Sequence, residues 1–327
     1  MDTGTHFVMG IALGGLATLD PVVSSDPLMM HTVMIATIVG SQAPDFDTIL
    51  KMKNNAVYIR NHRGITHSLP AIVIWPFIIA GVINMFVSDV NYLHLWLWTF
   101  LAVFLHVFVD IFNAYGTQAI RPFSKKWVAL GIINIFDPFI FFSHLAAIIL
   151  WRYGVHPGYA FLTLYVILIF YYLWRIHAKR RVVRSAKENH PDATHVFISP
   201  SVRWNVWHLV IRTPEKMYVA ESRKHKINYF ETYPFEPIPD HPIINAARKD
   251  ENLAAFLSFS PAYRWEIKHF NDWYEVRFVD LRYRSKGHYP FVAIVHLDKD
   301  LKILSSYTGW VYNEETLKRK LQIATSS

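Results

Sequence analysis

Residues 92–112 read YLHLWLWTFLAVFLHVFVDIF. A helix crosses a hydrocarbon core with about 20 mainly apolar residues, so this run predicts a membrane helix and sets the class of the chain. Near its end it places His106 and Asp110 four apart, on one helical face. A carboxylate at that depth is costly unless it is paired or bound to a metal. The run therefore predicts both a membrane and a polar site inside it.

Three further runs are long enough to span: 69–87, 136–152 and 158–174, with two shorter apolar segments ahead of them at 7–19 and 28–40. The whole chain of 327 residues is 52% hydrophobic and only 18% charged, against about 25% charged in a soluble domain. The charge deficit falls in residues 1–174, while 175–327 carries most of the Lys, Arg and Glu. This predicts an all-α multi-helix integral membrane domain over 1–184, with four long spans and two shorter N-terminal helices. A soluble α+β, mostly antiparallel β domain is expected over 185–327.

Loop 51–67 carries Lys51, Lys53, Arg60 and Arg63; loop 113–135 carries Arg121, Lys125 and Lys126; "RIHAKRRVVR" occupies 175–184. The alternate loops 20–27 and 88–91 hold no Lys or Arg. The positive-inside rule then puts the basic loops and the C-terminal domain in the cytoplasm. The start, "MDTGTHFVMGIALGG", has no basic n-region and is expected to be retained. The formal charge of +8 is accounted for by juxtamembrane clusters facing membrane lipids, so no nucleic-acid partner is expected. With no cysteine, disulfides and thiolate ligands are excluded.

In the soluble half, 202–213, 216–222, 226–233, 273–283, 289–297 and 301–309 read as strands, and 241–259 and 313–323 as helices. The segment "RWEIKHFNDWYEVRF" (264–278) suits a partner surface or an ordinary β core, the latter being the expectation.

By the loop charges, the polar residues at the membrane-segment ends converge on one face. They are His6; Asp45 and Asp47 in "APDFD"; His62 and His67 in "NHRGITHS"; His106 and Asp110; and Asp137 in "FDPF". His106 and Asp110 form either a packing hydrogen bond or a ligand pair, and the neighbouring donors favour the ligands. Asp45 and Asp47, two apart, read as a turn or as carboxylates facing one or two ions. Thr66 or Ser68 is expected to cap the next helix. Arg63 is either a topology signal or a bidentate phosphate binder. His31, His94, His144 and His156 read as packing or interfacial residues. A His and carboxylate donor set suits Zn²⁺ or Mn²⁺.

Thr5-His6-x₃-Gly10, "PDFD" (44–47), "HRGITHS" (62–68) and "HVFVD" (106–110), followed by Asn113 and Gly116, resemble the YdjM-like family of predicted bacterial membrane-bound metal-dependent hydrolases. The resemblance covers roughly residues 1–140. It implies a metal-dependent hydrolase holding one or two divalent ions. His6, Asp45, His62, His67, His106 and Asp110 would be the ligands, with Asp47 a further member. On that reading Asp45 or Asp47 serves as general base and Arg63 neutralises a phosphate. The depth of the site points to a lipid or lipid-linked phosphoester. Two other classes compete: a transporter or metal-handling membrane protein, and a membrane-anchored regulator using the soluble domain as partner module.

Overall fold

The computed structural model describes residues 1–52, 54–224, 226–285 and 287–325; Lys53 lies outside them. The chain divides into two compact units, Met1–Thr48 with His62–Arg180, and Ile49–Asn61 with Arg181–Ser327. The division expected at 184/185 thus falls at 180/181, and residues 49–61 group with the C-terminal part.

The first unit is helical. It contains α1 (Thr3–Leu16), α2 (Pro21–Ser24) and α3 (Pro27–Gln42), then a 3-10 stretch beginning at Ala43. In the second unit α4 (Asn55–Asn61) packs on α10 and β8, defined below. The first unit continues with α5 (Leu69–Phe86), α6 (Tyr92–Asp110) and α7 (Pro138–Arg152). Helix α8 runs Pro157–Asn189 and ends in the second unit. Short polar side chains start these helices by accepting orphan backbone N–H groups: Asp2 for α1, Asp26 for α3, Ser68 for α5, Asn91 for α6 and Asp137 for α7. Proline in the first turn of α3, α5 and α7 suits positions whose N–H has no helical acceptor.

Helices α5, α6 and α8 are long and apolar enough to cross a membrane. The run expected to span from 136 is shorter, because Asp137 caps a helix of only 15 residues starting at Pro138. Among the described residues there are therefore three long apolar helices where the sequence predicts four. Large apolar side chains such as Ile74, Phe77, Ile169 and Phe170 stand outward, which suits lipid rather than water as the surrounding medium. Helix α3 packs against α1, α5 and α6, and α1 also packs on α6 and α7. The connection from α6 to α7 folds back through bridges between Asn113 and Ile133 and between Thr117 and Val128.

The second unit holds two four-stranded antiparallel meanders. The first comprises β1 (His195–Pro200), β2 (Val206–Arg212), β3 (Lys216–Arg223) and β4 (Lys226–Pro234). The second comprises β5 (Tyr263–His269), β6 (Trp273–Asp280), β7 (Phe291–Asp298) and β8 (Ile303–Trp310). Helices α9 (Pro242–Ala247) and α10 (Glu251–Phe259) pack Ile243, Leu253 and Phe256 onto Val276, Phe278 and Val295 of one face. Helix α11 (Glu314–Thr325) packs Leu317 and Leu321 onto Val279, Val292 and Ile294 of the other. The single helix expected over 241–259 is broken, because Asp250 caps α10 by accepting from Asn252 and Leu253. Strands β1 and β5 add to the six expected, and 264–278 forms the β5–β6 hairpin.

Candidate metal centre

Four chain segments supply the centre. Helix α6 carries His106 and Asp110, the stretch after α3 carries Asp45, the turn before α5 carries His67, and α1 carries His6. Glycine lets α1 come close enough. A Cβ at Gly10 would stand 2.7 Å from Ile38 Cα, and one at Gly14 would stand 2.9 Å from Met34 Cα. Both neighbours are backbone atoms of α3, so any side chain would wedge the pair apart; small residues four apart are a common device of membrane helix pairs. With α1 in place, the His6 ring stacks on His106 with centroids 3.6 Å apart.

Hydrogen-bond partners fix which imidazole nitrogen carries the proton. His106 Nδ1 lies 2.6 Å from the Ser41 carbonyl, an acceptor only, so Nδ1 donates and Nε2 keeps its lone pair. The Thr66 hydroxyl donates to Asp47 Oδ2 at 2.7 Å. Its oxygen therefore accepts from His67 Nδ1 at 3.1 Å, and His67 also presents an Nε2 lone pair. Burial first of all pushes His67 down to about 3, so the ring is neutral and ligand-competent near pH 7.

These two Nε2 atoms face each other at 3.3 Å. Asp45 Oδ1 is 3.5 Å from His67 Nε2 and 3.6 Å from His106 Nε2; Asp110 Oδ2 is 3.5 and 3.8 Å from the same atoms. Neither carboxylate oxygen receives a well-formed hydrogen bond; Arg63 Nε meets Asp110 Oδ2 as an ion pair at 3.2 Å. One ligand atom from each of Asp45, His67, His106 and Asp110 lies within 4.8 Å of the others. Lone pairs and carboxylate charge thus converge, an arrangement that repels itself and that a cation makes attractive. Two nitrogens and two oxygens fit a divalent ion of the zinc or manganese kind. His6 Nε2 stands 3.3 Å from Asp110 Oδ1, at the edge of the four. The Met1 amino group lies against the same oxygen.

Asp45, Asp47 and His62 form a second group with ligand atoms as close, so Asp45 belongs to both. Within it, Asp47 is already committed. Its Oδ1 accepts from His62 Nδ1 at 2.7 Å, and its Oδ2 accepts the Arg63 N–H at 2.9 Å as well as Thr66. Burial is the largest influence and would raise the Asp47 carboxyl, but the hydrogen bonds from His62 and Thr66 and the attraction of the neighbouring imidazoles together hold it below the usual range.

The structure brings His6, Asp45, His67, His106 and Asp110 together and sets Asp47 and His62 beside them. Arg63 differs from its expected place facing lipid and substrate. Its backbone takes φ +59°, and the side chain turns inward, 5% exposed, onto Asp110 and the Met1 carbonyl. Asp137 stays apart, capping α7 and accepting the Tyr171 hydroxyl at 2.7 Å. His94 pairs with Asp20 at 2.6 Å, and His144 donates to the Ile140 carbonyl of its own helix. Three contributors escaped the sequence reading. Thr66 orients His67, while the capping it was expected to share falls to Ser68. The Ser41 carbonyl leaves no side-chain signature. Asn113 braces Asp110 at 3.4 Å while accepting the Tyr115 and Gly116 N–H groups, and only its company in the "HVFVD" motif pointed to it.

Residues 191–233 match the YfhP middle domain, and residues 242–321 match the YfhP C-terminal alpha/beta plait domain. Protein YfhP of Bacillus subtilis (strain 168) is 60% identical over 326 residues, covering 99% of this chain and all of that protein. No solved structure matches the chain. Residues 1–182, which hold every donor described above, match the family described as YdjM inner membrane protein, and the chain belongs to that family.

Proposed function

We propose that the chain is a membrane-bound metal-dependent hydrolase acting on a lipid or lipid-linked phosphoester, with its site at the cytoplasmic membrane interface. The observation that carries the reading is the meeting of two inward imidazole lone pairs with two carboxylate oxygens at 3.3–3.8 Å. Asp45, His67, His106 and Asp110 would hold the ion, and a divalent ion supplies Lewis-acid activation of water and of a phosphoryl oxygen.

The chain's own groups serve the remaining needs of a hydrolase. Asp47 holds the His62 Nδ1–H, so the other ring nitrogen is the basic one. A carboxylate-oriented imidazole of this kind takes a proton from attacking water and returns it to the leaving oxygen. His62 and Asp45 are the partly exposed members of the group, at 21% and 14%, and so the side from which substrate reaches it. Phe46 and Ile65, beside them in the chain, are about two-thirds exposed, which favours a substrate with an apolar body. Arg63 compensates Asp110 and so sets the charge of the pocket; it does not bind phosphate. The loop cations Arg60, Arg121, Lys125 and Lys126 support the cytoplasmic orientation.

The test is elemental analysis of the detergent-purified chain followed by turnover of lipid phosphates, comparing the native protein with His106→Ala and His62→Ala. Stoichiometric Zn or Mn is expected in the native chain and in His62→Ala, but not in His106→Ala, and turnover is expected only in the native chain. A native chain without metal, or undiminished turnover in both variants, would overturn the reading.

A further inference from the structure

The C-terminal unit has a half-open cavity of about 490 Å³ between β4, the β5–β8 sheet and the start of α11. We propose that it binds a small organic anion of mononucleotide size, with the oxyanion group on Arg264 and a ring-bearing body against the apolar wall. This stands independently of the metal centre.

The argument begins with the charges that line the cavity. Arg277 is spoken for: its Nε is 3.0 Å from Glu275 and its Nη1 is 3.1 Å from Glu314. Glu231 accepts the hydroxyls of Tyr233 and Tyr289 and has Arg284 at 3.4 Å. Arg264 differs. Among the described residues no carboxylate pairs with it, its Nε is buried with no hydrogen-bond acceptor, and its guanidinium lies 5.1 Å from the Tyr233 ring centroid. A buried N–H without an acceptor is penalised in the folded chain. A planar guanidinium held on an aromatic face is ready to take a phosphate or carboxylate in a forked pair.

Val279, Val292, Ile294 and Leu317 also line the cavity, an apolar wall that suits an apolar or aromatic body. Cavities of about 300–1,000 Å³ are typical of small-molecule sites, and this one offers polar and apolar groups in similar measure. A bare inorganic ion would leave that wall unused. A cation is disfavoured, because the Glu231 oxygens already receive two hydroxyl protons.

The full chain in lipid nanodiscs, titrated calorimetrically with adenosine monophosphate, phenyl phosphate and phenylacetate, provides the test, with adenosine as the neutral control. Saturable binding of at least one anion and none of adenosine is expected. The phosphate and carboxylate arms identify which oxyanion the site takes. Arg264→Gln is expected to weaken binding tenfold or more without changing metal content. Should that variant fail to fold, Val292→Phe, which fills the apolar end, is expected to block binding instead. The proposal is overturned if none of the three anions binds saturably, if adenosine binds as well as the anions, or if the folded variants bind with native affinity.

Discussion

Two regions of the molecule set histidine beside carboxylate, and they solve the problem in opposite ways. In the C-terminal sheet, Glu275 has Arg277 at 3.0 Å, Lys268 at 3.6 Å and His296 at 3.2 Å, and His296 meets the Ser305 hydroxyl at 3.1 Å. Every acceptor there faces a donor from its own strand or a neighbouring one. In the helical unit the donors of His67 and His106 point outward, to Thr66 and Ser41, and the inward side is acceptors facing acceptors. The presence of buried His and Asp is therefore weak information, whereas the direction of their protons is strong. A set complete in itself is structural, and a set that repels itself is one that a cation would complete.

The largest break in this contrast should come from Asp110→Ala. It removes a proposed ligand and the carboxylate that faces the buried Arg63 guanidinium, a loss of roughly 3–5 kcal/mol. Metal content by mass spectrometry should fall to background and the melting temperature should drop, while His296→Ala leaves metal content intact. Gly10→Val comes next. Its side chain meets Ser41 Oγ and Ile38 Cα, and overpacking of this kind costs about 1–3 kcal/mol. Because the shift moves α1 and the Ser41 carbonyl, metal retention during dialysis should fall with stability. Thr66→Val is milder, since the proposed His67 ligand stays while its orienting partner goes. Metal affinity by competition with a chelator should weaken about 10–100-fold with the fold intact.

The smallest effect belongs to the complete set. Burial would raise Glu275, but the bond from His296 and the charges of Arg277 and Lys268 hold it at about 2 against an ordinary 4.5. A depressed folded pKa stabilises above the unfolded value and loses that contribution as pH falls through the folded one. Denaturation of Glu275→Gln should therefore show a deficit near neutral pH that shrinks between about pH 4.5 and 2. A deficit constant over that window would refute the account.

Much of the centre was legible because polar residues in apolar helices are expensive. His106 and Asp110 announce themselves inside YLHLWLWTFLAVFLHVFVDIF, and the loop charges gather Asp45 and His67 to the same end. The illegible part is what no side-chain pattern encodes. Arg63 reads like the other loop cations, and only its left-handed backbone before Gly64 turns it inward. Asp137 looked like another site carboxylate, yet a helix start was the cheaper use for it. In the second unit, the strong alternation of β6 and β7 was readable, while β1, ending at Pro200, and β5, interrupted by charge, owe their state to pairing with β2 and β6.

The donors come from separate stretches of chain that a cell would synthesise and insert in turn: first His6, then Asp45, then His67, and last His106 with Asp110. Until α6 is seated, no earlier intermediate can close the pocket. An ion that stabilises only the closed arrangement acts as a latch on completed insertion. Chains that stall or thread a helix wrongly would be the ones unable to keep it, and so the ones left open to membrane proteases.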